Sequence, residues 1–431
     1  MPRRSARNSL LCRLPARFGK PRSAPDHDGA GTPERFVLTY GVATMSTGQA
    51  DEQLRADLRA WLAHHPPPTV DIATTREEAE TLRAWQRALY EGGWVGIHWP
   101  VEYGGRGASV TQVAIYNEEL ARAGAPAILG RAGVTLVGPT LVTHGTEAQR
   151  ARWMRRILSG EDVWCQLFSE PGAGSDLASL STRAVRRGDT YRVTGQKVWS
   201  SHATFADLGI ALVRTDPGAP PHKGISMLAV AMDAPGVDVR PLRQMTGDAE
   251  FNEVFLDDVE VPADNLIGGE NDGWRVANTT LTNERGASFI WREQVLHELA
   301  IDDLVEASVR RGATRDPVVR QRLARSWMDV RIFGLHNART LERLARGDEI
   351  GAESSLVKLW WAGISQRLYE TATDVLGADS LLAPGDADAL DQGRWVRGLL
   401  ATRANSIMGG TSEIQRNVVG ERILGLPREP R

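Results

Sequence analysis

The stretch DTYRVTGQKVWSSHATFADLGIALVR, residues 189–214, predicts that the middle of this chain is a β-sheet. Tyr191 and Val193 alternate with polar residues, and the run LGIALVR that begins at Leu208 is almost wholly apolar. Alternation with a period of two is typical of a half-buried strand, and a short apolar run between turn residues is typical of a buried one. These residues therefore form the centre of a predicted β-domain.

The predicted β-domain extends over residues 161–268. Further strand-like runs, ISMLAV from Ile225 and NEVFLDDVEV from Asn252, are bounded by Gly, Pro or Asp. We expect about six to eight strands, all antiparallel, because short strands separated by frequent turns are typical of such domains.

Helical periodicity surrounds this β-domain on both sides. Leu54, Leu58 and Trp61 recur at steps of three and four, and the same spacing returns in long segments after Gly273. We therefore predict an α+β multidomain protein with an N-terminal α-helical domain over residues 47–160. A C-terminal four-helix bundle should occupy residues 269–431.

The first 46 residues differ from the rest in composition. They carry a cluster of basic residues without acids, followed by a segment rich in Gly, Pro and Asp. We expect a disordered extension here. A transit peptide has the same composition, and a start at Met45 would remove the segment.

Charge and cysteine content exclude several classes of function. Lys and Arg total 51 against 54 for Asp and Glu, so no basic field favours nucleic acid as a partner. Cys12 and Cys165 cannot form a disulfide framework, and no histidine falls in a zinc-like spacing. No apolar run reaches the roughly 18 residues of a membrane span. We expect a cytoplasmic enzyme with a small-molecule substrate and no metal.

The segment FSEPGAGSD, Phe168–Asp176, is a candidate ligand-binding loop. Gly172 and Gly174 lack Cβ atoms and permit positive φ, so backbone N–H groups can face an anion or the edge of a flat polar ring. Ser169 and Ser175 add polar contacts. An ordinary Pro-Gly turn would have the same composition.

The segment GQKVWSSHA follows, with Gly195 predicted to end one strand and Trp199 to lie in the next. An indole near a polar glycine-rich loop can stack on an aromatic ligand. A tryptophan buried in the core is the alternative.

A third motif is a helical stripe with one carboxylate in it. Glu284 is the only charged member, and an apolar environment would raise its pKa toward the range that a general base needs near neutral pH. Pairing of Glu284 with Arg285 or Arg292 is the alternative. Steps of three and four place these residues on one helix face: Trp274, Ala277, Leu281, Glu284, Ser288, Trp291 and Val295.

The fourth motif is IMGGTSEIQRNVVGERILGLPRE, Ile407–Glu429. Two glycines, Gly409 and Gly410, precede a predicted helix start, where Thr411 to Glu413 can supply capping and free N–H groups. A simple loop between two helices is the alternative.

Together these segments resemble the acyl-CoA dehydrogenase family. GWVGIHWPVEYGGRGAS from Gly93 and FNEVFLDDVEVPADNLIG from Phe251 extend the resemblance, which covers about residues 50–425 in the family's order. The resemblance implies the α, β, α architecture, FAD as cofactor, and desaturation of an acyl-CoA thioester between its α and β carbons.

The resemblance also implies roles for individual residues. Trp199 and Ser201 resemble the residues at the flavin face and at its N5 side, and Ser175 would lie near both the cofactor and the pantetheine of CoA. The residues implied in cofactor binding are Gln166, Phe168, Ser169, Ser175, Trp199, Ser201, Arg310, Thr411 and Glu413.

The catalytic base needs a separate argument, because many members carry it as the Glu of a Glu-Gly-Thr sequence and this chain has Gly409 there. Members that resemble isovaleryl- and long-chain acyl-CoA dehydrogenases carry it in a Glu-Arg pair after the β-domain, which matches Glu284 and Arg285. Gly409 keeps the backbone N–H that hydrogen-bonds the thioester carbonyl in the family. We expect further substrate contacts from Asn283, Arg285 and Gly410.

Two departures from the family concern the neighbouring subunit. RRGATRD retains Arg310 but lacks the Phe-Gly of the family's Arg-x-x-Phe-Gly segment, and Asp374 stands where the family has a glutamine near the FAD phosphates. An aspartate there would repel phosphate.

The expected partners are an acyl-CoA, an electron-transfer flavoprotein, and either copies of this chain or a sister chain that completes the FAD site. A structural or half-catalytic subunit is therefore an alternative to a self-sufficient enzyme. A flavin-dependent oxidase or monooxygenase is another alternative.

Overall fold

The computed structural model describes residues 48–284 and 288–428, and the side chains of residues 283–288 lie outside the described part. The predicted disordered extension falls on residues that are not described. Of the five N-terminal α-helices in the described residues, three begin at a capping box; before Arg76 the hydroxyl of Thr75 accepts the N–H of Glu78, whose carboxylate accepts the N–H of Thr75. These helices are α1 (Gln49–His64), α2 (Arg76–Glu91), α3 (Val110–Arg122), α4 (Gly138–His144) and α5 (Glu147–Ser159).

The middle region contains one sheet, and within the described residues it has seven strands. They are β1 (Trp164–Leu167), β2 (Arg183–Arg187), β3 (Thr190–Lys197), β4 (Leu208–Arg214), β5 (Ile225–Ala231), β6 (Val237–Leu242) and β7 (Phe251–Pro262). The order is β1-β4-β2-β3-β7-β6, with β5 on the other edge of β4.

The sheet is not wholly antiparallel, which corrects that part of the expectation. β1 pairs in parallel with β4, with Gln166 opposite Ile210, and β2 meets β4 in parallel at Arg183. Strand periodicity is the same in both orientations, so the sequence pattern does not reveal the pairing direction.

Gly195 lies within β3, next to an irregularity in its pairing with β7, so Gly195 does not end the strand. A Cβ at this position would lie 2.4 Å from Thr182 Oγ1, so the close approach of the chain explains the glycine.

The C-terminal region is helical, with three long helices and several shorter ones. The long helices are α7 (Ser288–Arg310), α8 (Pro317–Ala345) and α9 (Ser354–Leu376), which pack against one another. The shorter helices are α6 (Gly273–Glu284), α10 (Arg394–Ala401) and α11 (Ser412–Val418).

Helix α6 connects the sheet to the helices that follow it. It packs on β4 and β5, and a Cβ at Gly273 would lie 2.6 Å from the backbone of Ser226. Of the predicted stripe, Ala277, Trp291 and Val295 are buried, and Trp274 and Leu281 are half-buried.

The main hydrophobic core joins the N-terminal helices, one face of the sheet and the beginning of the C-terminal helices. The other face of the sheet carries a separate core that includes Cys165, Val193 and Leu228. In the described part of the chain, none of the helices has the length and apolar character that crossing a bilayer requires.

Candidate active site

The glycine-rich loop leaves the sheet at the end of β1. Phe168 is buried, Ser169 is half-buried and Ser175 is exposed. The loop turns tightly, because the N–H of Glu170 donates to Ala173 O and the N–H of Ala173 donates to Glu170 O, each at 3.0 Å.

Neither Gly172 nor Gly174 has a positive φ, which corrects the expectation about their backbone. Their role lies in the open space above them: a Cβ at either position would have nothing within 4 Å. A flat ligand can therefore approach this backbone closely.

Trp199 follows the end of β3 and is not part of a strand, contrary to the expectation. Its φ is 61°, a left-handed conformation that costs a non-glycine residue about 1–3 kcal/mol. The indole is 61% exposed and meets the ring of Phe251 edge-on at 5.9 Å. The indole therefore lies at the surface, and the alternative of a tryptophan buried in the core is wrong.

These two segments are adjacent. The N–H of Val198 donates to Ser169 O at 2.9 Å, so the residue before Trp199 is hydrogen-bonded to the residue after Phe168. The structure thus brings Phe168, Ser169 and Trp199 together. Gln166 lies on β1, the strand that precedes the loop, and the half-buried Ser201 lies two residues after Trp199.

A buried ion pair holds the two segments in place. Lys197 is 0% exposed, and its ammonium donates to Glu170 Oε1 at 2.9 Å, to Phe168 O at 3.1 Å and to Leu212 O at 2.7 Å. Glu170 also accepts the backbone N–H groups of Ser181 and Thr182, at 2.7 and 2.9 Å.

The electrostatics of the Lys197–Glu170 pair follow from its burial. Desolvation alone would raise the pKa of the Glu170 carboxyl, but the Lys197 charge and the hydrogen bonds outweigh it and lower that pKa to about 2. Desolvation lowers the pKa of the Lys197 ammonium to about 8, although Glu170 acts in the opposite direction. Sequence reasoning missed both residues. The signal that could have revealed the pair is Lys197 itself, a charged residue on the face of β3 that Tyr191 and Val193 make apolar.

The proposed base lies at the end of α6, whose backbone is described as far as Glu284. The side chains of Asn283, Glu284 and Arg285 are outside the described part, so their roles remain predictions. The one alternative partner that is described, Arg292, donates to Ala125 O at 2.7 Å.

Gly409 and Gly410 form a turn before α11, with φ of 62° and 91°. The carbonyl of Gly410 accepts from Lys358 Nζ at 2.8 Å, and Gln415 Nε2 donates to Gly409 O at 3.1 Å. These two side chains, which sequence reasoning also missed, turn the two carbonyls inward. The N–H groups of the same peptide planes, which belong to Gly410 and Thr411, therefore face the opposite direction from these carbonyls.

Thr411 caps α11, because its hydroxyl accepts the N–H of Ile414 at 3.2 Å. Glu413 is exposed and pairs with Arg416 at 3.0 Å. Within residues 48–284 and 288–428, no hydrogen bond or ion pair links Thr411 or Glu413 to the segments around Ser169 and Trp199.

The residues expected at the neighbouring subunit's cofactor are already paired within this chain. Arg310 is exposed and pairs with Glu306 at 3.0 Å, and Asp374 pairs with Arg322. The negative charge of Asp374 is therefore partly neutralised by Arg322 of the same chain.

The exposed indole of Trp199, the open glycine-rich loop and the polar Ser169 and Ser201 fit a flat ring with polar edges, such as an isoalloxazine. Among the described residues, no group of three or more His, Cys, Asp or Glu side chains is arranged to hold a metal ion.

Comparisons with known proteins agree with this architecture. The chain matches the acyl-CoA dehydrogenase N-terminal domain over residues 48–161, the middle domain over 165–259 and the C-terminal domain over 271–424. Acyl-CoA dehydrogenase IpdE1 of Mycobacterium tuberculosis (strain H37Rv) is 42% identical over 386 residues, which are 88% of this chain and 98% of that protein.

Two solved structures are similar over almost their whole length. The Tcur3481-Tcur3483 steroid ACAD is 32% identical, with a TM-score of 0.79 over 89% of this chain and 99% of that one. The ChsE4-ChsE5 complex from Mycobacterium tuberculosis is 32% identical, with a TM-score of 0.77 over 89% of this chain and 100% of that one. The chain belongs to the acyl-CoA dehydrogenase family, the FAD-dependent oxidoreductases that act on CH–CH bonds.

Proposed function

We propose that this chain desaturates an acyl-CoA thioester to the trans-2-enoyl-CoA, with Glu284 as the base. The observation that carries the proposal is the exposed Trp199 indole, which is held beside the open glycine-rich loop. Helix α6 packs on the same sheet and ends at Glu284. The loop and the indole offer a place for the flavin.

The chain's own residues would perform three tasks. Glu284 would remove the α proton, and the N–H of Gly409 would donate to the thioester carbonyl, which stabilises negative charge that develops on that oxygen. Trp199, Ser169 and Ser201 would hold and orient the flavin. When bound, FAD accepts the hydride from the β carbon, and we propose that an electron-transfer flavoprotein takes the electrons onward.

The substitution Glu284→Gln tests the assignment of the base. We expect the variant to keep the absorbance of bound FAD but to bleach with acyl-CoA more slowly by about a hundred- to ten-thousandfold, because that is the usual contribution of a general base. Anaerobic stopped-flow absorbance measures the rate. Glu77→Gln on the exposed face of α2 is the matched control. Undiminished bleaching by Glu284→Gln would exclude Glu284 from this role.

A second variant tests whether a carboxylate at position 409 can replace the carboxylate at position 284 as the base. A Cβ at Gly409 would have nothing within 4 Å, although its φ of 62° is unfavourable for a side chain. We expect Glu284→Gln combined with Gly409→Glu to recover part of the bleaching rate, because many family members carry the carboxylate at that position.

One observation favours a second reading, in which the chain needs a sister chain to complete its FAD sites. Asp374 stands where the family has a glutamine near the FAD phosphates and is paired with Arg322, and two similar solved structures are complexes of two different chains by their names. The flavin content of the chain purified alone separates the two readings.

A further inference from the structure

Lys358 on α9 holds the part of the chain that leads to α11. Its side chain is half-buried, and its ammonium group donates to Asn405 O and to Gly410 O, each at 2.8 Å. One side chain thus holds two points of the backbone on either side of Ile407 and Met408, whose own side chains are exposed. Lys358 is therefore a clamp on the segment that ends in the Gly409–Gly410 turn.

The Gly409–Gly410 turn has few other contacts that could fix it. Both glycines have positive φ, and a Cβ at Gly409 would have nothing within 4 Å, so neighbouring side chains do not confine that residue. In the described part of the chain, the carbonyls of the two glycines accept only from Lys358 and Gln415. These two side chains therefore set the orientation of the two peptide groups.

The N–H groups of the turn point the other way. Those of Gly409, Gly410 and Thr411 donate to no group within residues 48–284 and 288–428. A trans peptide unit directs its C=O and its N–H in opposite directions, so the N–H groups of Gly410 and Thr411 lie on the side away from Lys358. An oxygen atom of a ligand can therefore accept from the turn while Lys358 holds the turn from behind.

The positive charge of Lys358 has no counter-ion of its own. Both of its acceptors are backbone carbonyls, and it forms no ion pair with any described residue. Burial lowers the pKa of the Lys358 ammonium and the charge of Glu413 opposes this, but Glu413 is exposed and pairs with Arg416 at 3.0 Å. A half-buried ammonium group without a carboxylate is only partly compensated for its lost hydration. Its charge is therefore available to negative charge that forms across the turn.

The separation is short enough for this charge to act through the turn. Lys358 Nζ lies 2.8 Å from Gly410 O, and the N–H of the same peptide group belongs to Thr411. An oxygen that accepts this N–H would lie at most about 8 Å from the ammonium nitrogen. The ammonium also polarises the peptide group between them, which strengthens the hydrogen bond that this group donates.

We propose that Lys358 is a positioning residue of the reaction: it fixes the Gly409–Gly410 turn, and its charge strengthens the hydrogen bonds that the turn donates to the thioester carbonyl. This inference rests on the proposed function for the place of the thioester. Negative charge develops on the carbonyl oxygen as the α proton leaves, so Lys358 makes that proton more acidic without touching the substrate.

Acetoacetyl-CoA is the probe, because its acyl group is small and its α carbon ionises without oxidation. The α proton leaves, and the electron pair of the C–H bond is shared by the two carbonyl oxygens in an enolate that absorbs in the near ultraviolet. A pH titration of its complex with the FAD-loaded protein gives the pKa of the bound ligand.

Four variants separate the charge of Lys358 from its hydrogen bonds. Lys358→Met removes both, Lys358→Gln keeps a donor without the charge, and Lys358→Arg keeps the charge. Arg87→Met removes one positive charge from the exposed face of α2 and is the control.

We expect the wild type to lower the pKa of bound acetoacetyl-CoA below that of the free thioester. Lys358→Met and Lys358→Gln should each raise the pKa of the bound ligand by about one unit, a tenfold change, since a charge at this distance has an effect of that size. Lys358→Arg should keep most of the wild-type effect, and Arg87→Met should keep all of it.

A wild-type pKa in Lys358→Gln, or a wild type that leaves the acidity of acetoacetyl-CoA unchanged, overturns the inference. If Lys358→Met fails to fold or to retain FAD, the difference between Lys358→Gln and Lys358→Arg decides the same question. Bleaching by oxidisable acyl-CoA thioesters is measured separately. A wild type that acidifies acetoacetyl-CoA through Lys358 but bleaches with no thioester supports the inference and contradicts the proposed desaturation.

Discussion

Lys197 holds in place the two segments that we expect at the flavin, and the proposed reaction does not use its ammonium group. Its ammonium lies inside the protein with three oxygen acceptors, one of them the carboxylate of Glu170. Both segments expected at the flavin depend on it, because Phe168 O is one acceptor and Trp199 lies two residues along the chain.

Removing one member of this pair should be costly. Lys197→Met leaves the Glu170 carboxylate buried without its cation, and we expect the free energy of unfolding to fall by about 3–5 kcal/mol. Thermal and urea denaturation measure the loss. Arg240→Met, which removes the surface pair with Asp238, is the control and should cost less than about 1 kcal/mol. A loss as small as that of the control would contradict a structural role for Lys197.

The same pair predicts a pH dependence. The pKa of Glu170 is lowered from 4.5 to about 2 in the folded state, so its contribution to stability is complete above about pH 4.5 and is lost as the pH falls toward 2. The wild type should therefore lose more stability over this interval than Glu170→Gln does.

At the scale of elements, close packing of α4 against Trp99 shapes the N-terminal helices. Trp99 is buried and its indole donates to Val134 O at 3.0 Å. A Cβ at Gly138, the first residue of α4, would lie 1.9 Å from Cζ2 of Trp99. This glycine therefore allows the helix that runs alongside α6 to approach the indole.

Gly138→Ala should overpack this contact. We expect a loss of about 1–3 kcal/mol in the free energy of unfolding, because the indole or the helix must shift to admit a methyl group. Denaturation curves check this, with Gly269→Ala as the matched control, where the added Cβ would meet Asp272 at an ordinary 3.6 Å. Equal free energies of unfolding for the two variants would show that α4 can shift away from Trp99 without cost, which would contradict the close contact at Gly138.

At the scale of the whole molecule, one arginine links all three regions of the chain. Arg397 on α10 pairs with Asp248 before β7 and with Asp71 before α2. The regions that should enclose the flavin and the acyl group are therefore tied together by charge as well as by the shared core.

The need for a sister chain is testable at this scale. If Asp374 weakens the FAD site that this chain offers to a neighbour, the chain purified alone should retain less than one FAD per chain, and Asp374→Gln should raise that content. Native mass spectrometry and flavin absorbance measure composition and stoichiometry. A full complement of FAD in homo-oligomers of the unmodified chain would contradict the heteromeric reading.

Much of the architecture follows from local pattern. The order of helices, strands and helices was predictable because periodicities of 3.6 and 2 report which residues face a core. The glycine-rich loop, Trp199 and the Gly409–Gly410 turn were found by their composition.

Only the tertiary structure decided how these parts meet. It placed β1 parallel to β4, moved Trp199 out of its expected strand and gave Gly172 and Gly174 ordinary backbone angles. It also joined Lys197 to Glu170, and Arg397 to Asp71 and Asp248. Such pairs form between side chains distant in sequence, and they depend on strand pairing and helix packing that no local periodicity encodes.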